Sequence, residues 1–231
     1  MQPFPLMLFA AGFGTRMAAL TADKPKPMVE VAGKPLIDHA LALADAAHIQ
    51  RRVANLHYRG NQVERYLAGR NITFSWEREQ ILETGGGLRA ALPLLGEGPV
   101  LTLNSDAVWT GENPLMQLMA AWDESRMDAL LLLLPAEKAI GHSGKGDFLW
   151  QEQGRLSRAN GAEGLIYLGA QIIRPDLLVT IPEAVFSLNR LWDLMIARGR
   201  AYGLIHSGGW CDVGQPSSIA KAEALLGSVN V

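Results

Sequence analysis

Apolar runs of strand length alternate along the chain with stretches in which apolar residues recur every three to four positions. The runs lie at 5–11, 53–57, 72–76, 100–104, 129–135, 165–173 and 201–206. Several are apolar throughout, as in Ala129-Leu130-Leu131-Leu132-Leu133-Leu134-Pro135. A strand of that kind is covered on both faces, which is the habit of parallel sheets. Helices are predicted at 35–48, 62–68, 86–95, 113–125, 188–198 and 216–226. In the first, Ile37, Ala40, Leu41, Ala44 and Ala47 keep helical spacing, and Pro35 is tolerated in the opening turn. The alternation predicts an α/β fold: a mostly parallel, Rossmann-like sheet flanked by helices. The stretch 141–158 breaks the pattern, with Gly144, Gly146 and Gly154 punctuating short runs. It reads as a small β-hairpin excursion that walls one side of a pocket. No internal repeat or long linker appears, so 1–231 is expected to form a single domain.

The most informative punctuation follows the first strand, where Leu8-Phe9-Ala10-Ala11 runs into Gly12-Phe13-Gly14-Thr15-Arg16-Met17. Glycines let the backbone turn tightly and present N–H groups to a ligand without an intervening Cβ. Such a concavity binds anions, and Arg16 adds a fork of donors suited to phosphate. Lys24-Pro25-Lys26-Pro27 brings a second cationic segment on a stiffened loop. A dinucleotide site would need a third glycine where Met17 stands, and a carboxylate after the second strand. A P-loop motif occurs nowhere. Asp106 follows a strand otherwise apolar, at the end where ligands of open α/β sheets bind. Asp212 lies just beyond the late strand.

Composition narrows the function class. Twenty-one Lys and Arg against 23 Asp and Glu give a net charge of −2, which argues against nucleic-acid or anionic-membrane partners. No apolar run approaches the roughly 20 residues that span a bilayer, and the N-terminus lacks a basic leader, so a cytoplasmic protein is expected. One cysteine, Cys211, leaves no intramolecular disulfide and no multi-cysteine zinc site. The five histidines, at 39, 48, 57, 142 and 206, show no metal-ligand spacing.

Five ordered motifs carry a resemblance. They are Leu8 to Met17 with Pro25 to Ile37, Leu82-Glu83-Thr84-Gly85-Gly86-Gly87, Asn104-Ser105-Asp106, Phe186-Ser187-Leu188-Asn189, and Trp210-Cys211-Asp212-Val213-Gly214. Together they resemble the sugar-1-phosphate nucleotidylyltransferases, in their short single-domain branch. The resemblance implies a GT-A-like nucleotidyltransferase fold, with a nucleotide-binding part at about 1–110 and a sugar-binding part at about 111–231. It also implies that a sugar 1-phosphate attacks a nucleoside triphosphate and releases pyrophosphate. Arg16 and Lys26 would then contact the phosphates, and Asp106 with Asp212 would hold Mg²⁺. Arg16, Lys26 and Asp106 are the catalytic expectations. Ala10, Ala11, Gly12, Gly14, Thr15, Thr84, Gly85 and Gly86 complete the expected nucleotide contacts. Lys26, Asn104, Glu163, Tyr167, Gly169, Asn189 and Trp192 are expected on the sugar phosphate. Phe186-Ser187-Leu188-Asn189-Arg190 is characteristic of muramate-type members, which implies UTP and N-acetylmuramic acid 1-phosphate as substrates. GTP with mannose 1-phosphate, and UTP or dTTP with glucose 1-phosphate, are alternatives; a binding domain without catalysis is another. The chain departs from the family pattern at Glu30, Leu168 and Gln215. A homodimer is left open, and no length remains after Leu226 for the left-handed β-helix that some relatives carry.

Overall fold

The computed structural model describes residues 4–228. Four parallel strands, in the spatial order Thr73–Trp76, Arg52–Leu56, Leu6–Phe9 and Val100–Asn104, form one half of a nine-stranded sheet. Side chains alternate along each strand, so Leu6 and Leu8 enter one core layer while Met7 enters the other. The first layer receives helices α1 (Leu36–Ala46), α2 (Gly60–Tyr66) and, after an intervening helix, α4 (Pro114–Ala121). The second receives that helix, α3 (Glu83–Leu95), and α5 (Leu188–Ala197). The α1 pattern read from the sequence holds: Ile37, Ala40, Leu41 and Ala44 are all buried. Coverage of both faces is why Leu6–Phe9, central among the parallel strands, carries no polar residue.

The other half of the sheet is of mixed direction. Leu165–Ile173 runs antiparallel to Val100–Asn104 on one side and to Ala129–Pro135 on the other, and Ala201–Ile205 closes that side in parallel. The expected excursion is a hairpin of Phe148–Trp150 and Leu156–Arg158, which extends the sheet from Leu165. Between Tyr167 and Gln171 the register slips. Gly169 sits there with φ +85°, and a Cβ would lie 2.8 Å from the Asn104 side chain.

Three features depart from the expected elements. A second sheet of Ala107–Trp109, Trp210–Asp212 and Ala139–Ile140 stands off the main one. A helix over 113–125 ends instead at Ala121, because Oδ1 of Asp123 takes the N–H and hydroxyl of Ser125 in a local turn. The helix predicted from Gly86 begins at Glu83, a residue held at φ +58°. The last helix, α6 (Ser217–Gly227), packs behind the small sheet, where Ala222 joins Val108, Cys211 and Val213 in a third core.

Candidate active site

From Leu6–Phe9 the chain adds strands on one side, then returns to lay Val100–Asn104 on the other. Strand order therefore reverses between these two neighbours, and a crevice opens past their carboxyl ends. Ser105 ties the two ends together, donating to Phe9 O through both its N–H (3.3 Å) and its hydroxyl (2.7 Å). Phe9, Ala10, Ala11, Gly12, Lys26, Asn55, Thr84, Asn104 and Asp106 line the crevice.

The glycine turn owes its sequence to this crowding. Gly14 adopts φ +65°, and a Cβ there would stand 2.9 Å from Lys26 Cβ. The position must be glycine for both reasons. Met17, at the third glycine position of a dinucleotide motif, is fully buried against Val29, Val31, Leu36 and Val213. Arg16 is exposed, and a Cβ built on Gly214 would lie 3.1 Å from its guanidinium nitrogens and 2.6 Å from Asp212 Oδ2. The absence of a side chain at Gly214 thus leaves room for Arg16 beside Asp212.

Lys26 begins a single 3-10 turn after Pro25, is 9 % exposed, and donates from Nζ to Asp106 Oδ2 at 2.7 Å. Asp212 reaches the same point through the small sheet. Asp212 pairs with Ala107, and Val213 N–H donates to Asp106 O at 2.9 Å. Burial raises the Asp212 carboxyl above the ordinary carboxylate range, and the neighbouring Asp106 charge raises it further; Lys26, Arg16 and His142 oppose the shift. Among the described residues no third His, Cys, Asp or Glu joins this pair in a metal-sized cluster. Two hard carboxylates beside Lys26 and Arg16 suit Mg²⁺, which takes one or two carboxylates and leaves its other positions to water and phosphate. A closed zinc-type donor set they are not.

At the other end of the crevice lies a buried polar network. Asn55 Oδ1 accepts from Ala10 N–H (2.8 Å) and its Nδ2 donates to Glu77 Oε1 (2.7 Å), while Glu77 Oε2 accepts from Leu82 N–H (2.7 Å). Both side chains are 3 % exposed. The Ala10 amide is therefore committed internally. Gly85 and Gly86 both donate their N–H groups to Phe186 O, and neither lines the crevice. Their glycine identity answers packing: Cβ atoms would meet the Phe186 ring at 2.4 Å and Ala184 O at 2.5 Å. Thr84 does face the crevice, and its hydroxyl accepts from Leu188 N–H at the start of α5. Glu83 lines it too, from strained backbone.

A second cavity adjoins the first and shares Phe9, Thr84 and Asn104 with it. Its other walls are Asp147, Tyr167, Ser187, Leu188, Asn189 and Trp192. Four residues expected around a sugar, Asn104, Tyr167, Asn189 and Trp192, thus come together. Trp192 shows the cavity only part of its ring: it is 7 % exposed, and its Nε1 donates to Gln171 Oε1 at 2.8 Å. Gly169 stands behind the wall, giving Asn104 its space. Glu163 is placed elsewhere. It lines a groove on the far side of the hairpin with Glu137, Lys145 and Trp150, because the 164–165 backbone is tied to 145–147 and faces residue 163 away. Cys211 is buried, and its thiol is pushed up to about 11, first by burial, which suits a structural residue. His57 donates from Nδ1 to Glu77 O (2.6 Å) and packs edge-on against Phe13, also a structural setting.

The sequence profile of the MobA-like NTP transferase domain matches residues 6–153 of this chain. The chain belongs to the MobA-like NTP transferases. Two curated relatives are N-acetylmuramate alpha-1-phosphate uridylyltransferases. That of Caulobacter vibrioides is 42 % identical, with 95 % of this chain and 96 % of the relative covered. That of Neisseria meningitidis serogroup B is 34 % identical, with 96 % and 98 % covered. Among solved structures, HddC from Yersinia pseudotuberculosis in complex with GMP-PN superposes with a TM-score of 0.75 at 20 % identity, covering 96 % of this chain and 98 % of that one. The last likeness speaks for the fold alone. It matches the α/β fold expected from the sequence.

As a MobA-like transferase, the chain brings further residues to the crevice. Asn55, which the sequence already suggests as part of a functional loop at 55–58, and Glu77, which motif reading passed over, each stand at or just past the carboxyl end of a parallel strand, where ligands of such sheets gather. Asp147 was not singled out by itself, although it lies in the 141–158 excursion expected to wall a pocket; the fold carries it to residues 187–192.

Proposed function

We propose that this chain transfers a uridylyl group from UTP to N-acetylmuramic acid 1-phosphate, giving UDP-N-acetylmuramic acid and pyrophosphate, with Mg²⁺ as cofactor. The observation that carries the reading is the convergence of Lys26, Asp106, Asp212 and Arg16 beyond the Gly12–Gly14 turn. Near-full-length similarity to two uridylyltransferases supports the choice of substrates.

Two polyanions must meet, so the chain's work is positioning and charge neutralisation. The sugar phosphate oxygen attacks the α-phosphorus of UTP, and the bond to the β-phosphate oxygen breaks, with both electrons leaving on pyrophosphate. Arg16, exposed at the mouth, grips the β- and γ-phosphates with its forked donors. Lys26 is a compact cation that can follow the shifting charge. Its carbon stem against Gly14 and its contact with Asp106 fix it in place. Asp106 and Asp212 would hold Mg²⁺, which supplies positive charge to the phosphate oxygens. The amides of the 11–15 turn face the nucleotide phosphates. Thr84 and the strand end held by Asn55 and Glu77 bound the nucleobase. Asn104, Tyr167, Asn189 and Trp192 take the sugar, with Trp192 offering one ring face. No helix among the described residues is long and apolar enough to cross a membrane, and cytoplasmic residence accords with a soluble nucleotide substrate.

The test is pyrophosphate release by the purified protein with Mg²⁺, crossing UTP, GTP, dTTP, CTP and ATP with a panel of sugar 1-phosphates. Selective turnover of UTP with N-acetylmuramic acid 1-phosphate is expected. Turnover of GTP with mannose 1-phosphate instead would keep the phosphate machinery and overturn the substrate assignment.

A further inference from the structure

The segment that carries Arg16 has little core of its own. After Gly14 it forms a 3-10 helix over Thr15–Thr21, and among its described side chains as far as residue 23 only Met17 and Thr21 are buried. Thr21 Oγ1 donates to Gly14 O (3.0 Å), which closes the segment on itself. The last carbonyls of a helix find no partner within it and must be met from outside.

Here one short stretch meets them. Tyr58 Oη donates to Thr21 O (3.0 Å), Arg59 Nη2 to Ala22 O (2.6 Å) and Gln62 Nε2 to Asp23 O (2.9 Å). Three successive carbonyls thus receive three side chains. Arg59 Nε also donates to Tyr58 Oη (3.0 Å), which leaves the hydroxyl proton for Thr21 O. The exposed Phe13 ring lies edge-on to His57, centroids 5.3 Å apart, and tilted on Tyr58 at 5.8 Å. The stretch itself is fixed to the sheet: His57 Nδ1 donates to Glu77 O, and a Cβ on Gly60 would stand 2.8 Å from the Trp76 ring. Arg59 is held at φ +50°, a costly conformation for a residue with a Cβ, which persists only where the surroundings impose it.

On the transferase reading given above, we infer that Tyr58, Arg59 and Gln62 are positioning residues for the triphosphate. They strap the 15–23 segment to the sheet and so keep Arg16 beside Asp212, where the β- and γ-phosphates are received. None of the three lines the crevice, so they act through Arg16. A site assembled only part of the time binds more weakly by the fraction of time it is assembled. The cavity walled by Tyr167 and Trp192 shares no residue with the strap or with the segment it holds, so the sugar phosphate should be spared.

The test uses the triple variant Tyr58→Phe/Arg59→Ala/Gln62→Ala, which removes the three donors and keeps a ring against Phe13. Arg59→Ala alone, at an exposed side chain, guards against misfolding of the triple variant, and Arg59→Lys serves as the rescue. Amide hydrogen exchange of residues 13–23 in the free triple variant should quicken, and UTP with Mg²⁺ should slow it again. Its KM for UTP should rise about tenfold or more, since each lost bond contributes a factor of a few and the one from a charged donor more. Arg59→Ala should give a smaller rise of the same kind, and Arg59→Lys should recover most of it. The KM for N-acetylmuramic acid 1-phosphate and the Tm should stay near their wild-type values, whereas a merely structural role would lower Tm and move both KM values or neither. An unchanged KM for UTP in the triple variant and in Arg59→Ala would overturn the inference even if exchange quickened, and so would equal rises in both KM values. Wild-type protein that turns over no nucleoside triphosphate with any sugar 1-phosphate would instead overturn the transferase reading, and the inference with it.

Discussion

Removing the Asn55 side chain should both destabilise the fold and loosen the crevice. Asn55→Ala strands the Ala10 N–H, which is deeply buried, and strips one oxygen of Glu77 of its donor. A stranded buried amide costs about 1–3 kcal/mol, and a lost bond to a charged group about 1.5–3 kcal/mol. The expected loss is therefore about 3–5 kcal/mol. In a chain of this size each kcal/mol moves Tm by roughly 2–4 °C, so a drop of about 10 °C is anticipated. Urea unfolding followed by far-ultraviolet circular dichroism reads the free energy directly, through the midpoint at constant slope. Because Ala10 borders the crevice, the KM for UTP should rise in the same variant. Asn55→Asp sharpens the test: it sets a second carboxylate 2.7 Å from Glu77 Oε1, and should recover stability as the pH is lowered and one of the two protonates. A loss below 1 kcal/mol for Asn55→Ala with an unchanged KM would refute the argument that this network supports the site.

Other perturbations have equally definite outcomes. Lys26→Ala should lower kcat by roughly two or more powers of ten, as for loss of a transition-state donor; an effect confined to KM would mean that Lys26 does not follow the transferring phosphate. Gly14→Ala forces a side chain into left-handed backbone and 2.9 Å from Lys26 Cβ, so it should lose about 1–3 kcal/mol in thermal unfolding and depress turnover beyond that. His206 is buried with Gln117 Nε2 donating to its Nδ1, and burial lowers its pKa below the ordinary value of 6.5. The unfolded chain thus binds the proton more readily than the folded one. Its stabilising share is present above about pH 6.5 and is lost as the pH falls through the depressed value. Unfolding free energies at pH 7.5 and 5.5 should differ less in His206→Gln than in the wild type.

Asp106 and Asp212 show how sequence order and spatial position separate. Asp106 could be read from its place after an apolar strand, because the rule that ligands gather at strand ends is local to one strand. That Asp212 meets it depends on the pairing of Asp212 with Ala107 in a small sheet that no periodicity foretold. Those strands are only three residues long, too short for alternation to stand out. Glu163 shows the converse. Its neighbourhood looked right along the chain, but the tie of residues 164–165 to 145–147 turned it to the far side of the hairpin. Gly85 and Gly86 were expected as nucleotide contacts, but neither lines the crevice, and the groups that demand glycine there, the Phe186 ring and Ala184 O, lie about a hundred residues away.

By itself the sequence determined the alternation of strands and helices, the double coverage of the sheet, and the glycine turn with Arg16 and Lys26 close behind it. These rest on periodicity and on backbone chemistry within a few residues. Only the tertiary structure decided which strands run antiparallel, which carboxylates lie side by side, and that Asp147 rather than Glu163 lines the second cavity. Those are set by pairings between residues distant along the chain, such as Lys26 with Asp106 and Ala107 with Asp212, where register and packing, not local propensity, choose the neighbour.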